Sequence, residues 1–288
     1  MTPARRLAIG TVQFGLAYGI SNDRGKVPVD VAGRILRAAA AVGIDTVDTA
    51  AAYGDAEAVL ATLLSDLPAF RVVTKTLSGT GGVAAVAERA RLSAQRFGPS
   101  ATLLVHSAAD LRTGDGPALW RALIQLRDEG RFARIGISAY ASDDPAGLAR
   151  EFHPDIMQLP VSILDQRLVR DGALATLKAL GVEIHVRSAF VQGAIFLDPA
   201  ALPPALAHAS ASLTGFRDRL ARHELAPLQA SIGYALSIPE IDRLVVGITS
   251  AEELAEIVSA ANGAPQSIPW QDFAIDDDVL DPRKWQTT

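Results

Sequence analysis

Two textures alternate along the chain. Short apolar or β-branched runs, each closing on a polar residue or a glycine, are separated by longer stretches whose apolar positions recur at helical spacing. The short runs fall at 7–15, 44–48, 70–75, 102–106, 132–138, 155–159, 182–188 and 241–247, and each is predicted to be a strand. The first ends in a glycine loop over 16–27. Asp30 is expected to cap a helix that runs through Val42 and is closed by Gly43. Further helices are expected at 55–64, at 83–97 after a glycine turn over 78–82, and from Pro117 to about Glu129. Others follow at 145–152, 167–180, 205–221, 227–236 and, capped by Ser250, at 251–261. The segment 110–116 is expected to be a loop. A long excursion over 189–226 and the proline-bearing tail 262–288 look irregular around whatever helix they contain.

Strand and helix in regular alternation predict a (β/α)₈ TIM barrel filling residues 1–288 as a single domain, with a long loop after the seventh strand. An open doubly wound sheet is the alternative. No G-x-G-x-x-G follows the first strand, which counts against a dinucleotide-binding Rossmann unit.

In a parallel α/β fold chemistry is built at the carboxyl ends of the strands. The second strand ends at Asp48, with Tyr53 a short loop further on; the third ends at Lys75 and the fourth at His106. Each has an ordinary explanation alone: Asp48 as a helix cap, Lys75 as a solvated charge, His106 as a hydrogen-bonded filler. Their convergence on three consecutive strand ends points to one site. The set suits hydride transfer to a carbonyl, which needs a proton delivered to oxygen as hydride reaches carbon. A free phenol, with a pKa of about 10, is a poor acid near neutrality. A neighbouring ammonium favours the phenolate, an Asp keeps that ammonium charged, and an imidazole can orient the substrate oxygen. Lys75 as a Schiff-base amine, in a barrel isomerase or lyase, is a competing use of the same residues.

Composition narrows the partners. Net charge is −5 without a basic run, which argues against nucleic acid. No uninterrupted apolar stretch reaches the roughly 18–20 residues of a membrane helix, and the start runs into a strand with no signal-peptide core. The chain has no Cys, which removes thiolate chemistry and suits the cytoplasm. Its His residues, at 106, 153, 185, 208 and 223, show no metal-ligand spacing, so no metal is expected.

The run 43–50 with Tyr53-Gly54 resembles the Asp-to-Tyr signature of the aldo-keto reductase family. Residues 73–75 resemble its lysine strand and 104–106 its histidine strand, and similarities continue at 130–138, 157–160, 187–193 and 245–250. The resemblance implies a barrel reductase using NADP(H) or NAD(H) on a small-molecule carbonyl substrate, without a metal. Tyr53 would be the general acid, tuned by Lys75 and Asp48, and His106 would orient the carbonyl. Ser138 and Gln158 would hold the nicotinamide amide, with Thr11 and Val12 joining the cofactor set. Arg187, Ser188, Phe190, Gln192 and Gly193 would flank the ring and pyrophosphate, and Gly247, Thr249, Ser250 and Glu253 would receive the adenosine phosphates.

Four positions depart from the family pattern. Ala139 stands where Asn is usual, Arg187 where an aromatic often stacks on the nicotinamide, and Glu253 and Ile257 where Arg and Asn are usual. Glu253 shifts the expectation from NADPH toward NADH, with Arg243 or Lys178 as the cations that could offset it. The run 15–20 resembles a bacterial subgroup with undefined substrates. The family also holds channel-associated subunits that bind cofactor with little turnover, a second reading for this chain. Specificity is expected in loops 16–27 and 108–116, in 189–204 and in the tail, where Trp270, Phe273 and Trp285 are candidates for a pocket wall. Oligomeric state is not legible.

Overall fold

The computed structural model describes residues 2–67, 70–265 and 267–285. Among them, eight strands run in order: β1 (Leu7–Gly10), β2 (Thr46–Asp48), β3 (Arg71–Lys75), β4 (Thr102–Val105), β5 (Arg134–Ser138), β6 (Ile156–Pro160), β7 (Glu183–Arg187) and β8 (Arg243–Gly247). Each pairs in parallel with the next, and β8 pairs with β1, closing a barrel. With helices packed around it, this is the (β/α)₈ TIM barrel that the alternating pattern predicts.

Both faces of the strands are buried, and the period of two sorts them. One set, including Ile9, Val47, Val72, Leu103, Ile137, Met157, Val186 and Val246, joins the large core shared with the helices. The alternate set points into the barrel, where Val73, Leu104 and Ile156 form a separate apolar plug. Gly136 is required there: a Cβ on it would stand 2.1 Å from the Ile156 carbonyl oxygen and 2.7 Å from Leu104 Cδ2. Below the plug, at the strand starts, the Glu183 carboxylate is ringed by Arg71, Arg134 and His185 Nε2. Above it, the same inward alternation brings Asp48, Lys75, Ser138, Gln158 and Arg187 to the other rim.

The structure redraws several expected boundaries. β1 stops at Gly10, and Val12–Gly15 is a helical turn. Pro28 precedes the helix Val29–Ala41; Asp30 lies inside its first turn, where it pairs with Arg34 rather than capping. Ala108–Leu111 is a helical turn just ahead of, and overlapping, the expected 110–116 loop. The expected helix 167–180 is two pieces, Arg167–Arg170 and Ala173–Ala179, split at Gly172, whose φ of 75° no continuous helix accommodates. After β7 the chain winds through the 3₁₀ turns Val191–Phe196, Pro199–Ala201 and Pro204–Ala209, so the helix there begins only at Ser210 (Ser210–Arg222). The tail holds short 3₁₀ turns; residue 266 and residues 286–288 of it lie outside the described residues. No described helix is long and apolar enough to cross a membrane.

Candidate active site

Asp48, Lys75 and the loop bearing Tyr53 are locked together by backbone and charge. The Asp48 carbonyl accepts from both the backbone N–H and the hydroxyl of buried Thr11, each at 2.9 Å, which ties the ends of β1 and β2. The Tyr53 loop is fixed by two glycines. A Cβ on Gly15 would lie 1.8 Å from the Tyr53 carbonyl oxygen, and Gly54, at φ 56°, sits against Gly15 in turn. The close approach of the Val12–Gly15 turn thus sets where Tyr53 sits.

Lys75 is fully buried and its ammonium is surrounded by acceptors. Nζ donates to Asp48 Oδ1 at 2.6 Å and to the Thr49 carbonyl at 2.9 Å. It lies 5.1 Å from the centroid of the Tyr53 ring, whose hydroxyl faces it. Burial pushes the Lys75 pKa down, but Asp48 and Tyr53 more than offset this, and the net direction is upward. The other carboxylate oxygen of Asp48 accepts from Gln158 Nε2 at 2.6 Å, across the barrel from β6. Both oxygens of this buried carboxylate are therefore satisfied.

His106 stands edge-on to Tyr53, ring centroids 5.8 Å apart at 81°. Its backbone N–H donates to Thr76 Oγ1 at 3.2 Å. Burial first, then the charges of Lys75 and Arg187, pushes its pKa down to about 4. The ring is neutral around pH 7 and can present an N–H to a substrate oxygen.

One cavity of about 670 Å³ opens over this cluster. Asp48, Tyr53, Lys75 and His106 line it, as do Thr11, Val12, Ser138, Gln158, Arg187, Ser188, Phe190, Gln192, Gly193, Gly247, Thr249, Ser250 and Glu253. Sequence reasoning missed Gln13, Tyr140, Glu252 and Glu256, which line it too, while Phe196 lies in the flagged segment 189–204. Tyr18 and Arg24 were inside a flagged loop but not singled out; Arg24 acts on Glu252 across the cavity. Three expected contributors lie elsewhere. No residue of 108–116 lines the cavity. Trp270, Phe273 and Trp285 do not form its wall: Trp270 packs on Tyr234 and Phe273, Phe273 on Phe216, and Trp285 donates to the Val279 carbonyl, so these aromatics anchor the tail. Arg243, at the opposite end of β8 beside Asp45, and Lys178, paired with Asp242, do not line it either.

At its far end the cavity meets the helix Ala251–Asn262. Ser250 Oγ accepts from Glu253 N, and Glu253 Oε2 turns back to accept from the Thr249 backbone N–H at 2.6 Å and from Thr249 Oγ1 at 2.9 Å. Between the two ends, the loops after β1 and β7 touch. Ile20 N–H donates to the Gln192 carbonyl at 3.1 Å, and a Cβ on Gly193 would strike Ser21 Oγ at 2.0 Å.

A closed (β/α)₈ barrel with a polar cluster under a cavity at the carboxyl rim defines a class of barrel proteins that work on small molecules at that rim. Within this class, the sequence model of the aldo/keto reductase family matches residues 6–268, and the chain belongs to that family. No curated protein matches it. Among solved structures, it is similar to an aldo-keto reductase from Bacillus halodurans in its holo form (TM-score 0.72, 19% identity, 93% of this chain and 90% of that one). It is also similar to a Pseudomonas aeruginosa protein assigned to the aldo-keto reductases (TM-score 0.66, 22% identity, 90% of each chain). At these identities the likeness speaks for the fold.

Proposed function

We propose that this chain reduces an aldehyde, ketone or sugar carbonyl with a nicotinamide cofactor, or runs the reverse reaction, with Tyr53 as the proton donor. The observation that carries this reading is the buried Asp48–Lys75 pair facing the Tyr53 hydroxyl, with His106 edge-on to the same ring. The residues present fit a dinucleotide. Gly247 leaves β8 backbone bare beside Gln13, Ser138 and Gln158 stand near the tyrosine, and a helix N-terminus closes the far end. When bound, the nicotinamide supplies the hydride. Lys75 faces the Tyr53 hydroxyl and places a positive charge beside the phenol oxygen as its proton passes to the substrate oxygen. Neutral His106 donates a hydrogen bond to that oxygen and fixes its direction. As an imidazolium it would amount to about one molecule in a thousand at pH 7, so the proton falls to Tyr53. Gln158 holds Asp48, and Asp48 holds Lys75.

The Schiff-base reading loses support, because a lysine with its ammonium stabilised by Asp48, Thr49 and Tyr53 is a poor nucleophile. On the cofactor, Glu253 places a carboxylate on the Thr249 donors that would otherwise face a phosphate, which favours NADH. We read residues 1–288 as one barrel unit, and the cysteine-free chain as suited to the cytoplasm. The test is Tyr53→Phe, which keeps the ring and removes the proton. Turnover of carbonyl substrates should fall by roughly 10²–10⁴-fold, while cofactor affinity changes little. Near-wild-type turnover would take Tyr53 out of this role.

A further inference from the structure

Arg187 ends β7 and projects into the cavity that holds Tyr53 and His106. Its guanidinium acts on both His106 and Tyr18, so it lies within electrostatic reach of the reacting end. The side chain is oriented by Tyr140, with Cζ 4.5 Å from the ring centroid. Its hydrogen bonds are long and go to neutral acceptors: Ser188 Oγ at 3.3 Å and the Ala139 carbonyl at 3.4 Å. It forms no ion pair with any carboxylate of the described residues.

The acids beside Tyr140 are engaged by another cation. Arg283, from the tail, also lies over the Tyr140 ring, at 3.7 Å. It takes Asp281 through Nε at 2.9 Å and Nη2 at 2.7 Å, and it faces Asp143 at 3.9 Å. Asp143 also accepts from Tyr140 N at 2.7 Å. Tyr140 is thus held by an acid-neutralised arginine and presents an uncompensated one to the cavity. A guanidinium is a rigid fork matched to two oxygens of a carboxylate or phosphate. Tyr18, Tyr53 and Tyr140 line the surrounding space, with Phe190 and Phe196 as an apolar wall.

We infer that Arg187, in place of the nicotinamide-flanking role the family resemblance implies, is the docking point for an anionic group, a carboxylate or a phosphate, carried by the carbonyl substrate. This rests on the reductase reading for the identity of the rest of the ligand. It sets the substrate class as a small acidic aldehyde or ketone, bound with its charge on Arg187 and its carbonyl oxygen between Tyr53 and His106.

The experiment compares matched pairs by calorimetry, with oxidised nicotinamide present so that the carbonyl is not reduced. One pair is 4-formylbenzoate and its methyl ester; the other is glyceraldehyde 3-phosphate and glyceraldehyde. In the wild type, at least one anionic member should bind roughly tenfold or more tightly than its neutral partner, and the responding pair tells carboxylate from phosphate. Arg187→Met should bring that ratio close to one. Arg187→Lys, which keeps the charge and loses the fork, should give an intermediate ratio and serves if the Met variant does not fold. Ratios near one for both pairs in the wild type overturn the inference. So does a preference that survives Arg187→Met, including the case where that variant weakens nicotinamide binding instead. The same pairs are then assayed for NADH and NADPH oxidation. Selective binding of the anion with no turnover keeps the Arg187 site and removes the reductase reading; turnover without anion preference does the reverse.

Discussion

His106 decides what Tyr53 has to do. With its pKa pushed down to about 4 by burial and by the charges of Lys75 and Arg187, it stays neutral from pH 8 to pH 5. The pH profile of kcat/KM should therefore show no acid limb near the ordinary histidine value of about 6.5. Any loss of activity through this group is expected only as pH falls toward 4. A limb between pH 6 and 7 that His106→Gln abolishes would put a protonated imidazole in the reaction and displace Tyr53 as the acid. The strand-end residues were legible because each closes an apolar run whose period places it at the rim. The contact of Gln158 with Asp48 was not, because it spans the barrel from β6 to β2 and exists only once the sheet closes. Tyr140 escaped for a different reason. It lies past the end of β5, where no periodicity says which way a loop side chain turns, and its place is set by Arg187 and Arg283.

The helix Ala251–Asn262 carries the cofactor preference proposed above. Its Ser250-Ala251-Glu252-Glu253 start has the spacing of a capping box, with the glutamate bonding one residue earlier than usual, at Thr249. On that reading, the carboxylate would compete with the 2′-phosphate for the Thr249 donors and repel it. Glu253→Arg frees the Thr249 N–H and hydroxyl and reverses the charge. The variant should bind NADPH about tenfold tighter or more, roughly 1.4 kcal/mol, with NADH affinity little changed, as read by paired titrations. If the wild type already binds NADPH far more tightly than NADH, Glu253 does not repel the phosphate and the preference argued here is wrong. The sequence announced this helix through Ser250, and the helices 83–97 and 145–152 through their periodicity; the structure gives those last two at Val83–Phe97 and Pro145–Phe152. It could not announce the break at Gly172, since a lone glycine inside a helical pattern is usually tolerated. The 3₁₀ path after β7 was equally hidden: Ser188, Val191 and Gln192 adopt positive φ without being glycine, so tertiary packing overrides local preference.

At the scale of the whole molecule, the alternation of strands and helices pointed to a parallel sheet covered by helices, and the eight regularly spaced strands favoured the barrel over the open sheet. The sequence did not reveal the polar fastenings of the outer layer, whose partners are far apart in the chain. Glu57 is the clearest: 2% exposed at its side chain, it accepts from Thr74 at 2.6 Å and from Ser93 at 2.8 Å, and it pairs with Arg89 and Arg96. It thereby ties helix Ala56–Leu64 to helix Val83–Phe97 and to β3. Burial raises its pKa, but the bonds from Thr74, Arg89 and Ser93 prevail and the net direction is down. Its contribution to stability is then full above about pH 4.5 and is lost as pH falls through the lowered native value. Glu57→Gln leaves two guanidiniums without their carboxylate, and about 3 kcal/mol of unfolding free energy should go with it. Urea melts at pH 7 read this directly, and an unmoved midpoint would mean the cluster is stabilising nothing. The bond between Ile20 and Gln192 has a consequence of another kind. β8 lies between β7 and β1 in the sheet, so a link between the loops of its two neighbours passes over its end. A molecule resting against Gly247 would have to pass this bridge to leave, so loosening the contact between the two loops should shorten its residence time.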